Sequence, residues 1–505
     1  MLNMNLLKTS CLSVVLAAAE AAFAGGLLEN TNQNIAFLRN PARDAAIGID
    51  GVYSNPAGVV FLGDGFHLSL NMQNAHQTRT VSSVYRLYPM GLGNGGSEHK
   101  KFKGEADAPI IPSVQAAYNR DRWSFQFSFA VAGGGGKCKF DNGIPTFETS
   151  IAQIAGMLGA KGYDMKAYMQ GRQYYYGVTA GAAYKLTDRL SVYGGARLLY
   201  GSASYKATVS DIMVKMAEGQ PAIPFSTYLD AANEQVGQGM ATVEGKLAGV
   251  QAQIDRLTAA GQPVPDALTQ AQAQLQGTYA GLKQKEAQLD MLDPYRDGVN
   301  LMCDQTAWGI APIIGIDYKA GRLNLAAKYQ FKTRMRMKNK STVKETSLIS
   351  AINKFKDGER VAEDNPALLT VGAQYEIVPA LRVMAGWHHY FDVDTKQYTK
   401  AMLGDSNEYL AGAELDVCKK LQVSAGMQRT EYGFKDEGMN DISFNVSSYS
   451  VGLGVGYSVT GNIKVNAAYF HTLYDDYDKS ADAIGATNSF TRTNRVFGLG
   501  VDLKF

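Results

Sequence analysis

The chain has 505 residues, a formal net charge of +2 and a mean hydropathy of −0.17, with 46% hydrophobic residues, 53 glycines and 28 tyrosines. That balance is too polar for a bundle of membrane-spanning helices, and past the first two dozen residues no run of about 18 apolar residues occurs. A near-neutral charge gives no case for a nucleic-acid partner.

Met1 to Ala24 reads as a cleavable leader. Lys8 supplies the positive start, Leu12 to Ala19 the apolar centre, and Ala22-Phe23-Ala24 a small-x-small cleavage site. Three cysteines remain beyond it, Cys138, Cys303 and Cys418, at spacings that fit no zinc or redox motif. Cys138 and Cys303 both fall at strand ends on the same side and are expected to approach each other.

Residues 25–65 are too long for an ordinary connector and too apolar for a disordered tail. They contain Asn55-Pro56-Ala57-Gly58, in which proline fixes φ and Gly58 permits a tight reversal. The segment is expected to fold inside the rest of the chain as a plug, or hatch.

Strict alternation follows. Phe66, Leu68, Leu70 and Met72 alternate with His67, Ser69, Asn71 and Gln73, and the same period recurs in Trp123–Phe129, Leu323–Lys332 and Leu381–Val393. A soluble sandwich has the same period. Long strands, aromatic residues near strand ends (Tyr174-Tyr175-Tyr176, Tyr469-Phe470) and alternation of short and long connections favour a membrane barrel. Short turns are expected at 119–122, 187–189, 319–321, 378–380, 418–420 and 460–462. The fold class is therefore an all-β transmembrane antiparallel barrel of about fourteen strands over 66–505. The hatch sits in its lumen, and a helical insertion over 207–304 lies in an extracellular loop. Both termini are expected on the periplasmic side. The final alternation, Phe497 to Phe505, suits a membrane-facing last strand.

These features together resemble the outer-membrane hydrophobic-compound transporters of the FadL/TodX type. The residues that carry the resemblance are Tyr53-Ser54-Asn55-Pro56-Ala57-Gly58 after the leader and the closing strands Ile463–Thr472 and Val496–Phe505. The resemblance implies a monomeric barrel in contact with outer-membrane lipid and lipopolysaccharide. It implies a hydrophobic small-molecule ligand such as a long-chain fatty acid, and no cofactor. It also implies gating by hatch movement at Asn55, Pro56, Ala57 and Gly58, with lateral exit at a kink in the third strand.

Two features of the barrel bear on that path. Gly133-Gly134-Gly135-Gly136 interrupts the third strand and marks either an opening in the wall or the start of the loop beyond. On the seventh strand Lys328, Lys332, Arg334 and Arg336 share one phase, which predicts a cationic ladder inside the lumen, joined by Arg197 and Lys206 of the fifth strand. Such a ladder would hold a ligand carboxylate or pair with lumenal acids.

Leu229 to Leu257 and Leu268 to Leu289 carry heptad spacing on either side of Gly261-Gln262-Pro263-Val264-Pro265, an antiparallel helical hairpin that binds a partner, lids the mouth or decorates the loop. Catalysis and metal binding find no motif; His388 and His389 point to opposite faces of one strand. The rival readings are a general porin, which the plug disfavours, and a surface adhesin whose working part is the hairpin.

Overall fold

In the computed structural model the residues described are 29–345, 350–396, 404–441 and 444–505. The leader expected over 1–24, and the first residues of the hatch, lie outside them.

The alternating segments join into one antiparallel sheet that closes on itself. Its wall strands are β1 (Gly65–Val84), β2 (His99–Arg120), β3 (Trp123–Phe140), β4 (Gly162–Lys185) and β5 (Leu190–Lys215). They continue as β6 (Val299–Ala320), β7 in two pieces (Leu323–Gln330 and Arg336–Ser341), β8 (Leu368–Val378), β9 (Leu381–Tyr390) and β10 (Ser406–Asp416). The last are β11 (Leu421–Glu431), β12 (Ser448–Ser458), β13 (Ile463–Tyr474) and β14 (Thr487–Lys504). Each pairs with the next, and β14 returns to β1 from His67–Lys504 to Val84–Thr487, so the ring has no free edge.

The wall is inside-out relative to a soluble protein. On β1 the polar His67, Ser69, Asn71 and Gln73 are buried while Leu70 and Met72 are 40% and 55% exposed. On β3, Ser124, Gln126 and Ser128 are buried, whereas Trp123, Phe125 and Phe127 face outward. An apolar outer face and a polar inner one suit a barrel in hydrocarbon. An outward row of rings, Phe129, Tyr176, Tyr200 and Trp308, runs around part of it, as aromatic belts do at a membrane interface.

All six expected tight turns fall between paired strands at one end, the turn end. There Phe66 N donates to Phe505 O at 3.0 Å. The opposite, loop end carries α2 (Pro145–Met157) and the hairpin α3 (Phe225–Ala259) and α4 (Asp266–Leu292); a short α1 (Ile35–Arg39) belongs to the hatch. The insertion is narrower than 207–304. β5 runs to Lys215 and β6 begins at Val299, because Ala207, Val209, Leu301 and Cys303 continue the inward apolar phase.

The interior has two zones. Toward the loop end it is apolar, a cluster that includes Phe102, Phe140, Phe147, Tyr175, Leu199 and Met337, with α2 packed into it. Toward the turn end it is polar and filled by residues 29–62.

Candidate functional site

The hatch folds through its own asparagines. Asn32 Oδ1 accepts from Asn34 N, Asn34 Oδ1 from Ala36 N, and Asn40 Oδ1 from Ala42 N. The Asn34 bond caps the start of α1, and the other two hold turns through a local side-chain bond. Wall glycines make room for it. A Cβ at Gly452 would run into the Leu38 carbonyl.

Asn55-Pro56-Ala57-Gly58 lies against the inner wall. Gln126 of β3 donates to Pro56 O at 2.7 Å, and Ser191 of β5 donates to Ala57 O at 2.7 Å. Asn55 Nδ2 donates to Asp317 of β6 at 2.6 Å, while its Oδ1 accepts from Gly58 N at 3.2 Å. Ala57 packs with Val60, Ala183, Tyr193 and Ile313. The motif thus spans β3 to β6.

The glycine run lies within β3, not in the loop beyond it. β2 and β3 pair from Arg120–Trp123 to Val114–Phe129, stop, and resume at Asp107–Lys137. Across that interval β3 stays on β4 with two register shifts, around Ala132 and Gly136. Gly134 has φ +71°, and a Cβ there would meet the Gln173 carbonyl, so glycine is required. The facing stretch of β2 is Ala108-Pro109-Ile110-Ile111-Pro112-Ser113. Two prolines remove two ladder donors, a signal the sequence reading missed.

The hatch occupies this gap. Asn30 N donates to Ala132 O at 2.9 Å, and Asn30 Nδ2 to Val131 O at 3.0 Å. Gln33 Nε2 donates to Val131 O at 2.5 Å, and its Oε1 accepts from Val131 N at 3.0 Å. These residues give β3 the partners that β2 withholds, as buried backbone groups require. Ile35 and Leu38 pack beside the gap with Ala108, Ile111 and Val131.

Of the expected cationic ladder, the structure brings Arg197 and Lys328 together and sends the rest elsewhere. Both are buried, and both lie over the Tyr53 ring, at 4.5 and 5.4 Å. Lys328 Nζ donates to Tyr53 O at 2.7 Å, and Arg197 Nε donates to Thr179 at 3.1 Å. Glu29, which the sequence reading overlooked, completes the group. Its Oε1 accepts from Gln330 at 3.0 Å and Asn365 at 3.3 Å, and its Oε2 lies 3.7 Å from Arg197 Nη1. The hatch itself therefore engages these cations.

Lys332, Arg334 and Arg336 do not face the lumen. Pairing of β6 with β7 passes from Ile313–Gln330 to Thr306–Lys338, one extra residue on β7. Pro312 offers no N–H there; instead Phe331 N donates to its carbonyl at 3.0 Å. One added residue exchanges the two faces. Met335 and Met337 turn inward, Arg334 is exposed, and Lys332 donates to Asp394 O at 2.6 Å. Arg336 donates to Asp364 at 2.5 Å. Lys206 is likewise exposed, on the outer face of β5. The expected Cys138–Cys303 approach also fails, and both thiols are free. They share one row, Cys138–Gly171–Tyr205–Cys303, three strand spacings apart, which at about 4.8 Å each is far beyond a disulfide's reach.

Across the ring from the gap the hatch is held by charge. Arg43 pairs with Asp50 of the hatch and with Glu414 of β10. His388 of β9 bridges Asp44, at 2.9 Å, and Glu408 of β10, at 2.8 Å.

No family model matches the chain, and no curated protein does. Solved structures do. A Pseudomonas aeruginosa FadL homologue aligns with TM-score 0.58 at 14% identity, covering 97% of this chain and 100% of that one. The P. putida toluene transporter TodX aligns with TM-score 0.52 at 13% identity, covering 91% and 94%. The fold is that of the FadL/TodX-type barrel.

Proposed function

We propose that a chain with this barrel carries hydrophobic small molecules across the outer membrane of a Gram-negative bacterium. The loop end faces outside and both termini face the periplasm. The ligand enters the apolar zone and leaves sideways between β2 and β3 when the hatch withdraws. The observation that carries this reading is the interval from Asp107–Lys137 to Val114–Phe129, where the wall is unpaired and hatch residues Asn30 and Gln33 stand in for the missing strand. Such a gap lets an apolar cargo reach lipid without crossing an aqueous exit. The similar structures, a FadL homologue and a toluene transporter, agree in kind. The role expected of the glycine run, a lateral opening, becomes part of this proposal, with Asn55 to Gly58 as the seat on which the hatch turns.

A single copy suffices for this path, since the wall closes within one chain and needs no second copy to complete it. Lys338 and Lys340, exposed beyond the Trp308 row, would meet the anionic headgroups of lipopolysaccharide. A porin reading is disfavoured by the filled lumen.

The test is a tether. In a variant free of native thiols, Asn30→Cys with Ala132→Cys joins hatch to gap on oxidation. Uptake of a radiolabelled hydrophobe should stop when the bond forms and return on reduction. Equal uptake in both states removes the gap from the path.

A further inference from the structure

The outer face of the wall carries a charge pattern of its own, just loopward of the aromatic row. Past its glycines β3 regains alternation, with Cys138 and Phe140 buried inward and Lys137 and Lys139 exposed outward. The register sets Lys137 directly opposite Arg172 of β4, and Lys139 opposite Gln170, which in turn faces Lys206 of β5. Four cations thus share one face of three neighbouring strands, with at most two strand spacings, about 10 Å, between their strands. On the turnward side of Arg172 stand Tyr174 and Tyr176, the second a member of the outward row of rings.

Like charges placed directly across a strand pair repel. Acids lie on the flanks of this group, but they are turned away from it. Asp107 of β2 is opposite Lys137 yet meets His76 at 2.5 Å, and Glu105, opposite Lys139, pairs with Lys103 at 2.7 Å. Asp304 of β6 lies beyond Ser204, across from Lys340. Among the described residues none of the four cations makes an ion pair or a hydrogen bond, and Arg172 Nε is covered without a partner. A guanidinium and three ammonium groups, clustered at the edge of an apolar belt, complement an anion that brings an apolar body with it. Arginine meets phosphate oxygens through two parallel N–H donors, and lysine adds point charge.

We propose that Lys137, Lys139, Arg172 and Lys206 bind the phosphorylated head of lipid A, the acylated base of lipopolysaccharide, with its acyl chains lying over Tyr174 and Tyr176. The inference rests on the reading that the loop end faces outside, and it names the lipid and the residues that hold it. A phosphate monoester carries more charge and more free oxygens than the diester of a phospholipid, so a four-cation group favours lipid A.

The test is native mass spectrometry of the full mature protein in phosphatidylcholine nanodiscs. The probes are bisphosphorylated lipid A, lipid A stripped of phosphate, and phosphatidylglycerol. The parent should prefer bisphosphorylated lipid A over both others, and excess inorganic phosphate should not displace it. Lys137→Gln with Arg172→Gln should weaken that binding about thirtyfold, equal to about 2 kcal/mol, and leave the stripped lipid unchanged. Lys338→Gln with Lys340→Gln removes the same charge three strands from Arg172, more than a screening length of about 10 Å away. That change should weaken binding about threefold at most, since distant charges are screened. Arg172→Lys should give an intermediate loss, because the charge stays and the paired donors go.

Equal losses from the two double variants would overturn the site in favour of general attraction to an anionic surface. Phosphatidylglycerol bound as tightly as lipid A would overturn the choice of lipid, and displacement by inorganic phosphate would overturn a lipid as the occupant. A parent that reaches the outer membrane as a heat-modifiable barrel but shows no preference for the phosphorylated lipid sinks this site alone. A parent absent from the outer membrane sinks the reading on which the site rests.

Discussion

The hatch is fastened in two different ways on two sides of the lumen. On the gap side, at β1 to β3, it is held mainly by amides, with Asn30 and Gln33 on backbone groups of Val131 and Ala132, and Asn34 on Ser69 and Gln115; Glu29 beside Asn30 adds one loose ion pair, 3.7 Å from Arg197 of β5. Across the ring, at β9 and β10, it is held by buried charge, through Arg43, Asp50, Glu414, Asp44 and His388. Neutral hydrogen bonds contribute about 0.5–1.5 kcal/mol net each, and water replaces them readily. Breaking a buried ion pair from one side costs about 3–5 kcal/mol. On the lateral path proposed above, the difference says which part would move: the segment at the gap would let go, and the charged side would stay.

The largest effect should come from the anchored side. Arg43→Met leaves Asp50 and Glu414 buried without their shared cation, a loss of about 3–5 kcal/mol. The whole hatch should become protease-sensitive and the barrel should conduct small ions, with heat-modifiable migration intact. A variant that stays closed and protected would erase the contrast between the two sides. Next comes the wall. Gly134→Val places a branched residue at φ +71° against the Gln173 carbonyl, a strain of about 1–3 kcal/mol. It should force the bulge flat and reduce hydrophobe uptake while the barrel still inserts; parent-level uptake would mean that the bulge has no part in it.

A smaller effect belongs to the gap side. Asn30→Ala with Gln33→Ala removes bonds of about 1 kcal/mol each. Val131 should exchange faster while the Arg43 side keeps its protection, and loss of protection on both sides would mean that the hatch moves as one body. The smallest is Pro112→Ala, which returns one N–H to β2. Exchange near the gap should slow slightly, and no change would place the cause of the break in β3 alone.

The barrel was legible because its signals are local. Alternation at Phe66–Gln73 and Trp123–Phe129 needs only the neighbours, and five of the six tight turns carry short polar or glycine-containing connections, the sixth, Val378-Pro379-Ala380, a proline. The face was harder. Lys328 to Arg336 alternate without a break in the sequence, yet an extra residue opposite Pro312 turns the later cations outward. Period survives an insertion that phase does not. The partners of the hatch were beyond reach for a different reason. Glu29 meets residues 168 to 336 positions away, and nothing in a single acidic residue near a leader announces such a pairing. The two prolines of β2 are readable in the sequence as missing ladder donors opposite the glycines of β3.

The closing ladder has a consequence for how the molecule is made. β14 meets β1 from Val84–Thr487 to His67–Lys504, the two most distant parts of the wall in sequence. Loop-closure entropy makes such a pairing late. Until it forms, both strands expose a row of unpaired backbone groups. The hatch precedes β1 directly and fills the space that the ring encloses, with Ile35 and Leu38 against Val496 of β14 and Asn71 of β1 donating to its neighbour Ser69 beneath them. Its apolar turn therefore offers the last strand something to pack on before the ladder zips. The segment read as a gate in the finished protein is also placed to serve as a template during assembly.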